Sequence, residues 1–247
     1  MKIKLGSPDL LKNAVSIISE IIDEGVFSFT SNGLSLLSPD RTMVAVVDFK
    51  LLPQVFEEYD VPTPIDVGLN LTNLAAILKR VKSSDKLTIN LDTKNKVELI
   101  VEGEGKRRFE LPVISVNVER PPIDQLAFSN RIDLECSVME AGVEDAGIIA
   151  DSLILEASAE GFKLSAKTDT TSSQLELKKG ENGLLEIQAK EPIRARYPLD
   201  YLKKMSKACK LSNQVTLEFG TDYPLRLSFK QLDKLNLSFI LAPRVED

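Results

Sequence analysis

Histidine is absent from this chain of 247 residues. Its absence removes the commonest general base, the Ser-His and Cys-His nucleophile pairs, and every metal site with an imidazole ligand. Cys136 and Cys209 are the only cysteines, too few for a disulfide framework, and we expect both to be small buried residues in a reducing compartment. The composition therefore favours a protein that is not an enzyme, with no cofactor and no metal site.

Long apolar runs are also missing, since none approaches the roughly 18 residues of a membrane-spanning helix. The first residues lack the pattern of a secretory signal peptide. Hydrophobic residues make up 43% of the chain and charged residues 28%, the balance of an ordinary globular protein. We expect a soluble protein without a membrane partner, cytoplasmic, or nuclear if the source is eukaryotic.

One stretch of the sequence occurs twice: residues 70–91 return without a gap at 198–219, an offset of 128. Leu71 and Leu199 form one of the identical pairs, and Lys79 and Lys207 form another. In both copies the apolar spacing predicts a helix followed by a strand. A repeat at fixed offset indicates two copies of one structural unit.

The same offset relates the predicted helices 8–24 and 136–151, and short alternating strands surround each helix. Pro121 and Pro122 interrupt the pattern between the copies, because proline cannot donate ladder hydrogen bonds. We therefore predict two domains, at 1–114 and 128–247, joined by a linker at 115–127. The predicted fold class is α+β, with two helices on one face of antiparallel sheets in each half.

Charge is distributed unevenly over the predicted helices, although the net charge is only -6. Residues 8–24 carry -3 and residues 136–151 carry -4, whereas 71–82 and 199–210 each carry +3. A solvated helix face explains any one of these segments. Recurrence at the same place in both halves favours a cationic surface with a function.

Several motifs carry a family resemblance over the whole length. They are LAPRVED at 241–247, VGLNLT at 67–72 leading into ILK at 77–79, residues 38–46, and DYPL at 222–225. Together they resemble the archaeal and eukaryotic DNA sliding clamp family, proliferating cell nuclear antigen, and the archaeal type fits best. The resemblance implies three subunits joined head to tail in a closed ring, with helices lining a central hole.

A sliding ring must attract phosphates without reading bases, and lysines on inward-facing helices suit this task. The resemblance places Lys12, Lys79 and Lys207 at DNA-facing positions. The helix pattern adds Arg80, Lys82, Lys203, Lys204 and Lys210. Ser19, Ala76, Ala141 and Glu144 stand where related clamps often carry cations, so we expect a weakly cationic inner surface and a shallow salt dependence of DNA contact.

The resemblance also implies that edge strands hold the ring together, here residues 106–113 of one chain and 170–178 of the next. Phe109 and Leu111 would meet Leu175 and Leu177 across this interface. The alternative is that each of these four residues belongs to the core of its own domain. Ring closure would cover edges that otherwise invite aggregation.

A third implied site is a hydrophobic pocket for client peptides that carry a Gln, an aliphatic residue and paired aromatics. Ile240 replaces an aromatic residue that is common in eukaryotic relatives. For Val44 and Val46 core packing is the alternative, whereas we expect docking to involve Ile123 and the tail from Leu241. The matching positions are Pro39, Met43, Val44, Val46, Pro122, Ile123, Pro224, Ile240, Leu241, Ala242 and Pro243.

The leading hypothesis is a DNA polymerase processivity factor that encircles duplex DNA and tethers DNA polymerase, clamp loader, flap endonuclease and DNA ligase through client peptides. One alternative in the same fold is a single subunit of a heterotrimeric clamp. A distant alternative is a metal-assisted nuclease that uses acidic residues such as Glu144 and Asp145.

Overall fold

The computed structural model describes residues 1–93, 95–117 and 121–244. They form two compact units: Met1–Met43, Val47–Pro121 and Gln231–Leu237 in the first, and Val44–Val46, Pro122–Lys230 and Ser238–Asp247 in the second. The domain boundaries predicted above stay predictions. Residues 118–120 of the predicted linker and 245–247 of the tail motif lie outside the described residues.

The described part of the first half contains nine strands and two α-helices, with a 3-10 turn at Pro53–Val55. The elements are β1 Lys2–Leu5, α1 Asp9–Ile18, β2 Glu24–Thr30, β3 Gly33–Pro39, β4 Ala45–Leu51, β5 Glu58–Asp60, β6 Ile65–Asn70, α2 Leu71–Leu78, β7 Lys86–Thr93, β8 Lys96–Glu102 and β9 Lys106–Pro112.

The second half repeats this order of strands and helices, with 3-10 segments at Ile123–Gln125 and Ser206–Lys210. The elements are β10 Arg131–Glu135, α3 Cys136–Ile149, β11 Ser152–Ser158, β12 Gly161–Lys167, β13 Ser172–Lys178, β14 Leu184–Gln188, β15 Ile193–Pro198, α4 Leu199–Met205, β16 Gln214–Glu218, β17 Leu225–Gln231 and β18 Leu235–Leu241. None of the helices in the described ranges is long and apolar enough to cross a membrane.

Both halves arrange equivalent strands in equivalent order. In the first half, β5-β1-β7-β8-β9 form one sheet, and β4-β3-β2-β6 lie side by side in the other layer. In the second half, β14-β10-β16-β17-β18 and β13-β12-β11-β15 correspond strand for strand. The pairings given for these strands are antiparallel. The predicted α+β class and the duplicated fold are therefore confirmed.

Apolar side chains fix the helices against the strands. In the first unit α1 and α2 pack together, and Leu11, Leu74 and Leu78 surround one small apolar void with Phe27 and Leu99. The side chain of Asn70 begins α2 by accepting a hydrogen bond from the Asn73 N–H at 2.9 Å, the usual N-cap geometry. Because one face of each helix is buried, the opposite face and the helix ends remain available for contacts with other molecules.

The first helix is shorter than predicted. It ends at Ile18 rather than near Gly25, because the N–H groups of Glu20 and Ile21 bond to carbonyls three residues back. Gly25 instead belongs to β2, where it pairs with Leu69. Much of the acidic charge predicted for this helix therefore lies in the turn that follows it.

The two basic helices also end early. After Leu78 the chain tightens, since Arg80 N–H bonds to the Ile77 carbonyl and Val81 N–H to the Leu78 carbonyl. In the second half α4 ends at Met205 and continues as the 3-10 helix Ser206–Lys210. Most of the predicted cations therefore lie at or beyond helix C-termini, where the helix dipole favours positive charge.

Candidate functional site

A tight turn after α2 carries three of the four cations predicted to face DNA in the first half, and we call residues 79–83 the basic turn. Lys79, Arg80 and Lys82 are exposed there, while Val81 is buried and anchors the turn. Lys82 forms an ion pair with Glu104 at 2.7 Å between Nζ and Oε1. Both of these side chains are exposed, so water screens the pair and it stabilises the fold little.

Lys12 differs from the expectation of a DNA-facing cation. Its ammonium group donates to the Val81 carbonyl at 3.1 Å and pairs with the Asp9 carboxylate at 3.0 Å. Only 22% of its side chain is exposed. Lys12 therefore braces α1 against the basic turn instead of extending into solvent.

The lysines of the second half lie on α4 and on the 3-10 helix that follows it. Lys203, Lys207 and Lys210 are exposed, whereas Lys204 is half-buried with its ammonium 5.6 Å from the Tyr201 ring centroid. Lys203 also fills the space beside Gly147, near the end of α3. A cation at that helix C-terminus is electrostatically favourable.

The exposed face of α3 is acidic. Glu144 and Asp145 are exposed on it, Glu140 is half-buried, and Ile148 is 83% exposed one turn further on. Ala141 lies on the same face. This helix offers no cation to a phosphate, in agreement with its negative charge in sequence.

The edge strand β9 presents free backbone groups. Val113 N–H bonds to the Asn95 carbonyl at 2.9 Å. In an antiparallel pair every second residue of a strand bonds to its neighbour, so the odd-numbered residues of β9 bond to β8. The N–H groups of Lys106, Arg108 and Glu110 therefore point away from the sheet. Pro112, which has the same direction, has no N–H to offer.

The edge strand β13 has the matching arrangement. Lys179 N–H bonds to the Glu160 carbonyl at 2.8 Å, which assigns the odd-numbered residues of β13 to β12. Ser172, Gln174 and Glu176 therefore direct their N–H and C=O groups off the sheet edge, whereas the N–H of Lys178 donates to the Glu181 carboxylate at 2.8 Å. Each unit thus carries one edge that can accept another strand.

The four predicted interface side chains are not equally available. Leu175 and Leu177 are half-buried on β13, and Phe109 is half-buried on β9. Leu111 is 6% exposed and packs in the core of its own unit. A second chain could therefore contact Phe109, Leu175 and Leu177 more directly than Leu111.

Some predicted client-binding residues come together in the second unit. Ala242 N–H bonds to the Val44 carbonyl at 2.9 Å, which places the tail beside the start of β4. Tyr223, next to Pro224, accepts a bond from Ala127 N–H through its hydroxyl oxygen at 3.2 Å. Seven of the predicted residues in this unit keep partial or full exposure: Val44, Val46, Ile123, Pro224, Ala242 and Pro243 are half-buried, and Pro122 is exposed.

Two predicted tail residues do not belong to an accessible surface. Ile240 is 6% exposed and Leu241 is fully buried, because both lie in β18 rather than in a loop. Both side chains are therefore inaccessible in this structure, and their contact with a client stays a prediction. Only Ala242 and Pro243 of the predicted tail keep partial exposure.

Pro39 and Met43 line a cleft of about 390 Å³ in the first unit, together with Ile22, Arg41 and Val116. Met43 is 60% exposed and has a left-handed backbone, with φ of 59°. Asp40, which is buried, holds this turn by accepting a hydrogen bond from Thr42 N–H at 3.2 Å. The turn therefore exposes the apolar side chain of Met43 to solvent.

The tyrosine hydroxyl of Tyr197 supports the neighbouring turn by donating to the Tyr223 carbonyl at 2.6 Å. Burial raises the pKa of Tyr197 far above the ordinary value, so the hydroxyl stays a donor. The sequence analysis missed this contact, because the two residues are joined only by the fold.

Neither cysteine forms a disulfide. Cys136 is buried and Cys209 half-buried. The thiol of Cys209 lies 3.7 Å from the Cys136 carbonyl, and its hydrogen bond with Cys136, together with burial, raises its pKa. Across residues 1–93, 95–117 and 121–244, no three acidic, Cys or His side chains come together to hold a metal ion, which leaves the nuclease alternative without a described ligand set.

Comparison with known proteins covers almost the entire chain. Residues 1–120 match the family model of the proliferating cell nuclear antigen N-terminal domain, and residues 122–244 match that of its C-terminal domain. The DNA polymerase sliding clamp of Thermococcus gammatolerans is 34% identical over 233 residues, 94% of each chain. That of Nanoarchaeum equitans is 31% identical over 247 residues, 99% of each chain.

Solved structures show the same fold. The crystal structure of PCNA from Thermococcus kodakaraensis superposes with a TM-score of 0.91 at 24% identity, covering 98% of this chain and 99% of that one. A chain of the PCNA2–PCNA3 complex from Sulfolobus tokodaii gives a TM-score of 0.91 at 29% identity, with both chains covered completely. The duplicated fold, the cationic helix ends and these matches agree, and the chain belongs to the proliferating cell nuclear antigen family of DNA polymerase sliding clamps.

Proposed function

We propose that this clamp acts as a homotrimeric ring that encircles duplex DNA and tethers replication and repair enzymes to it. The observation that carries the proposal is the recurrence of exposed cations at the same helix end in both halves. Lys79 and Lys207 occupy equivalent places, as do Lys82 and Lys210. Such cations attract phosphates without contacting base edges, which permits sliding.

Ring closure is proposed to use the two edge strands. One chain carries both β9 and β13 with unpaired N–H and C=O groups, so identical chains can join head to tail. Phe109 would then pack near Leu175 and Leu177 of the adjoining chain. The alternative is a heteromeric ring, suggested by the Sulfolobus tokodaii relative, which was solved as a PCNA2–PCNA3 complex.

The DNA-facing set is proposed to be Lys79, Arg80, Lys82, Lys203, Lys204, Lys207 and Lys210, with Lys12 in a supporting place. The acidic face of α3 supports a shallow salt dependence, because it subtracts from the attraction that the lysines supply. No residue of this set is required to break a covalent bond. The proposed role is therefore that of a scaffold on chromosomal DNA rather than an enzyme.

The proposed clients are DNA polymerase, clamp loader, flap endonuclease and DNA ligase. Val44, Ala242 and Pro243 support a docking surface, since they lie together and are half-buried. Ile123, in a short 3-10 segment of the connecting region, offers a further half-buried aliphatic side chain. A peptide with paired aromatics would cover such surfaces and remove them from water.

Replacing both Val44 and Ile123 by alanine tests the docking surface. We expect the affinity for a fluorescent client peptide to fall at least about tenfold, since truncating central apolar contacts commonly costs more than 1 kcal/mol each. Stimulation of a polymerase should fall with it, while the native mass of the clamp stays the same. Fluorescence anisotropy measures the affinity and light scattering the mass.

Leu232→Ala is the matched control, because Leu232 is 88% exposed and lies outside the proposed docking set. It should leave peptide affinity unchanged. Unchanged affinity in the double variant, or an equal loss in the control, would show that clients bind elsewhere.

A further inference from the structure

The basic turn is held by charged residues from three separate elements. They form a group that we call the clasp: Asp9 and Lys12 on α1, Asp85 before β7, and Arg107 on β9. Among these, the sequence analysis singled out only Lys12. The turn follows a helix of eight residues, and the buried side chain of Val81 also anchors it.

One side of the clasp comes from α1. Lys12 Nζ donates to the Val81 carbonyl, and the hydroxyl of Ser83 donates to Asp9 Oδ1 at 3.0 Å. Partial burial would raise the pKa of Asp9, but its hydrogen bonds with Lys12 and Ser83 outweigh this and lower it. The carboxylate of Asp9 is therefore ionised at neutral pH and ties the turn to α1.

The other side comes from Asp85 and Arg107. Asp85 is almost completely buried, and its carboxylate accepts from Lys82 N–H at 3.0 Å and from Arg107 at 2.8 Å. Arg107 also donates to the Arg80 carbonyl at 3.1 Å. Gly103 leaves the space for this carboxylate, since a Cβ there would lie 2.0 Å from Asp85 Oδ1.

The second half contains no equivalent of the clasp. The offset of 128 places Ser137, Glu140, Asn213 and Leu235 at the positions of Asp9, Lys12, Asp85 and Arg107. The corresponding segment buries Ala208 and Leu211, and the hydroxyl of Ser212 just beyond it donates to the Lys230 carbonyl at 3.1 Å. This copy of the turn is thus held without charged residues at those four positions, and the ionic clasp of the first copy needs another explanation.

We propose that the clasp residues are positioning residues for DNA contact, which hold the basic turn so that Lys79, Arg80 and Lys82 present their charges to the phosphate backbone. The proposal rests on the proposed DNA-binding function. Lys12 then acts through the turn and not by touching DNA. Arg107 lies on β9, the strand proposed to join the next subunit, so the clasp links that strand to the basic turn.

Asp85→Asn separates positioning from simple electrostatics. The change removes the negative charge that lies under the basic turn, so charge alone predicts tighter DNA binding. The clasp predicts the opposite: affinity for a short fluorescent duplex about tenfold weaker, and a salt slope smaller by about one or two, because one or two phosphate contacts are lost. Fluorescence anisotropy over a series of KCl concentrations measures both quantities.

Glu104→Gln is the matched control, because Glu104 also pairs with a cation of the turn but is 88% exposed and outside the clasp. It should bind DNA as tightly as the unmodified chain or more tightly. Equal or tighter binding by Asp85→Asn, with an unchanged salt slope, would overturn the proposal.

Four further variants keep the outcome decisive. If thermal unfolding shows that Asp85→Asn does not fold, Asp9→Asn takes its place with the same expectation, and Lys12→Arg should retain the affinity that Lys12→Met loses. The double variant Lys79→Ala, Arg80→Ala tests the premise. If this double variant binds DNA normally, the basic turn does not face DNA, and the proposed role of the clasp is wrong as well. If the double variant binds DNA weakly while Asp85→Asn and Asp9→Asn bind normally, only the proposed role of the clasp is wrong.

Discussion

A chain with proline in place of Glu176 is expected to have a native mass of 27.3 kDa, while the unmodified chain has about 82 kDa, three times as much. The N–H of Glu176 points away from β12, so proline removes a donor meant for another chain and leaves the β12–β13 ladder intact. The proline ring also blocks the approach of a strand. We expect the dissociation constant of the subunits to rise at least about 100-fold.

Glu176→Gln provides the control at the same position, because it removes the side-chain charge and keeps the backbone N–H. It should have the mass of the unmodified chain across the same concentration series. A trimeric proline variant would exclude β13 as a subunit edge. Monomers in both the unmodified chain and the control would favour a heteromeric ring.

Reversing charge in the basic turn should have the other large effect. With Lys79→Glu and Arg80→Glu together, we expect the affinity for duplex DNA to fall about 100-fold at low salt, since two attractive contacts become repulsive. The opposite change, Glu144→Lys on the acidic face of α3, should strengthen binding and steepen its salt dependence. Both variants are surface changes, so the thermal unfolding midpoint should stay within a few degrees.

Anisotropy with a labelled duplex over a series of KCl concentrations measures both variants. The unmodified chain should show a shallow slope, because α3 carries Glu144 and Asp145 where a cationic helix would add phosphate contacts. A steep slope in the unmodified chain would contradict the weakly cationic surface. An unchanged affinity after double charge reversal would remove the basic turn from the DNA interface.

The duplicated architecture could be predicted from the sequence because the offset of 128 preserves apolar spacing as well as identity. Leu71 and Leu74 face the core in one copy, and Leu199 and Leu202 do so in the other. The repeat also predicted that the two halves share one fold, since each half solves the same packing problem. Family membership followed from motifs that were distributed over both halves.

Helix ends were predicted less well, because apolar periodicity continues beyond the last helical hydrogen bond. Val81 is buried and fits the stripe of α2, yet it lies in a turn after Leu78. Ile22 likewise continues the stripe of α1, although the helix ends at Ile18. Periodicity reports which side chains are buried, whereas the backbone bonds that end a helix depend on tertiary contacts.

Long-range polar contacts were beyond sequence analysis. Asp85 and Arg107 are 22 residues apart, and nothing in their local pattern indicates that they meet under the basic turn. The burial of Leu241 was missed for a related reason, since the tail was treated as a loop while its backbone completes β18. Both cases depend on which segments the strands bring together in the fold, and the composition of the sequence does not reveal these neighbours.

Retention on circular DNA is the measurement that most directly tests whether this clamp encircles a duplex. The labelled clamp is assembled on a nicked circular plasmid with a clamp loader, separated from free protein by gel filtration, and the plasmid is then cut once. A closed sliding ring predicts that the clamp stays on the circle and is lost from the linear product, because it slides off the ends. Equal retention on circular and linear DNA would show that it binds the surface of DNA without encircling it.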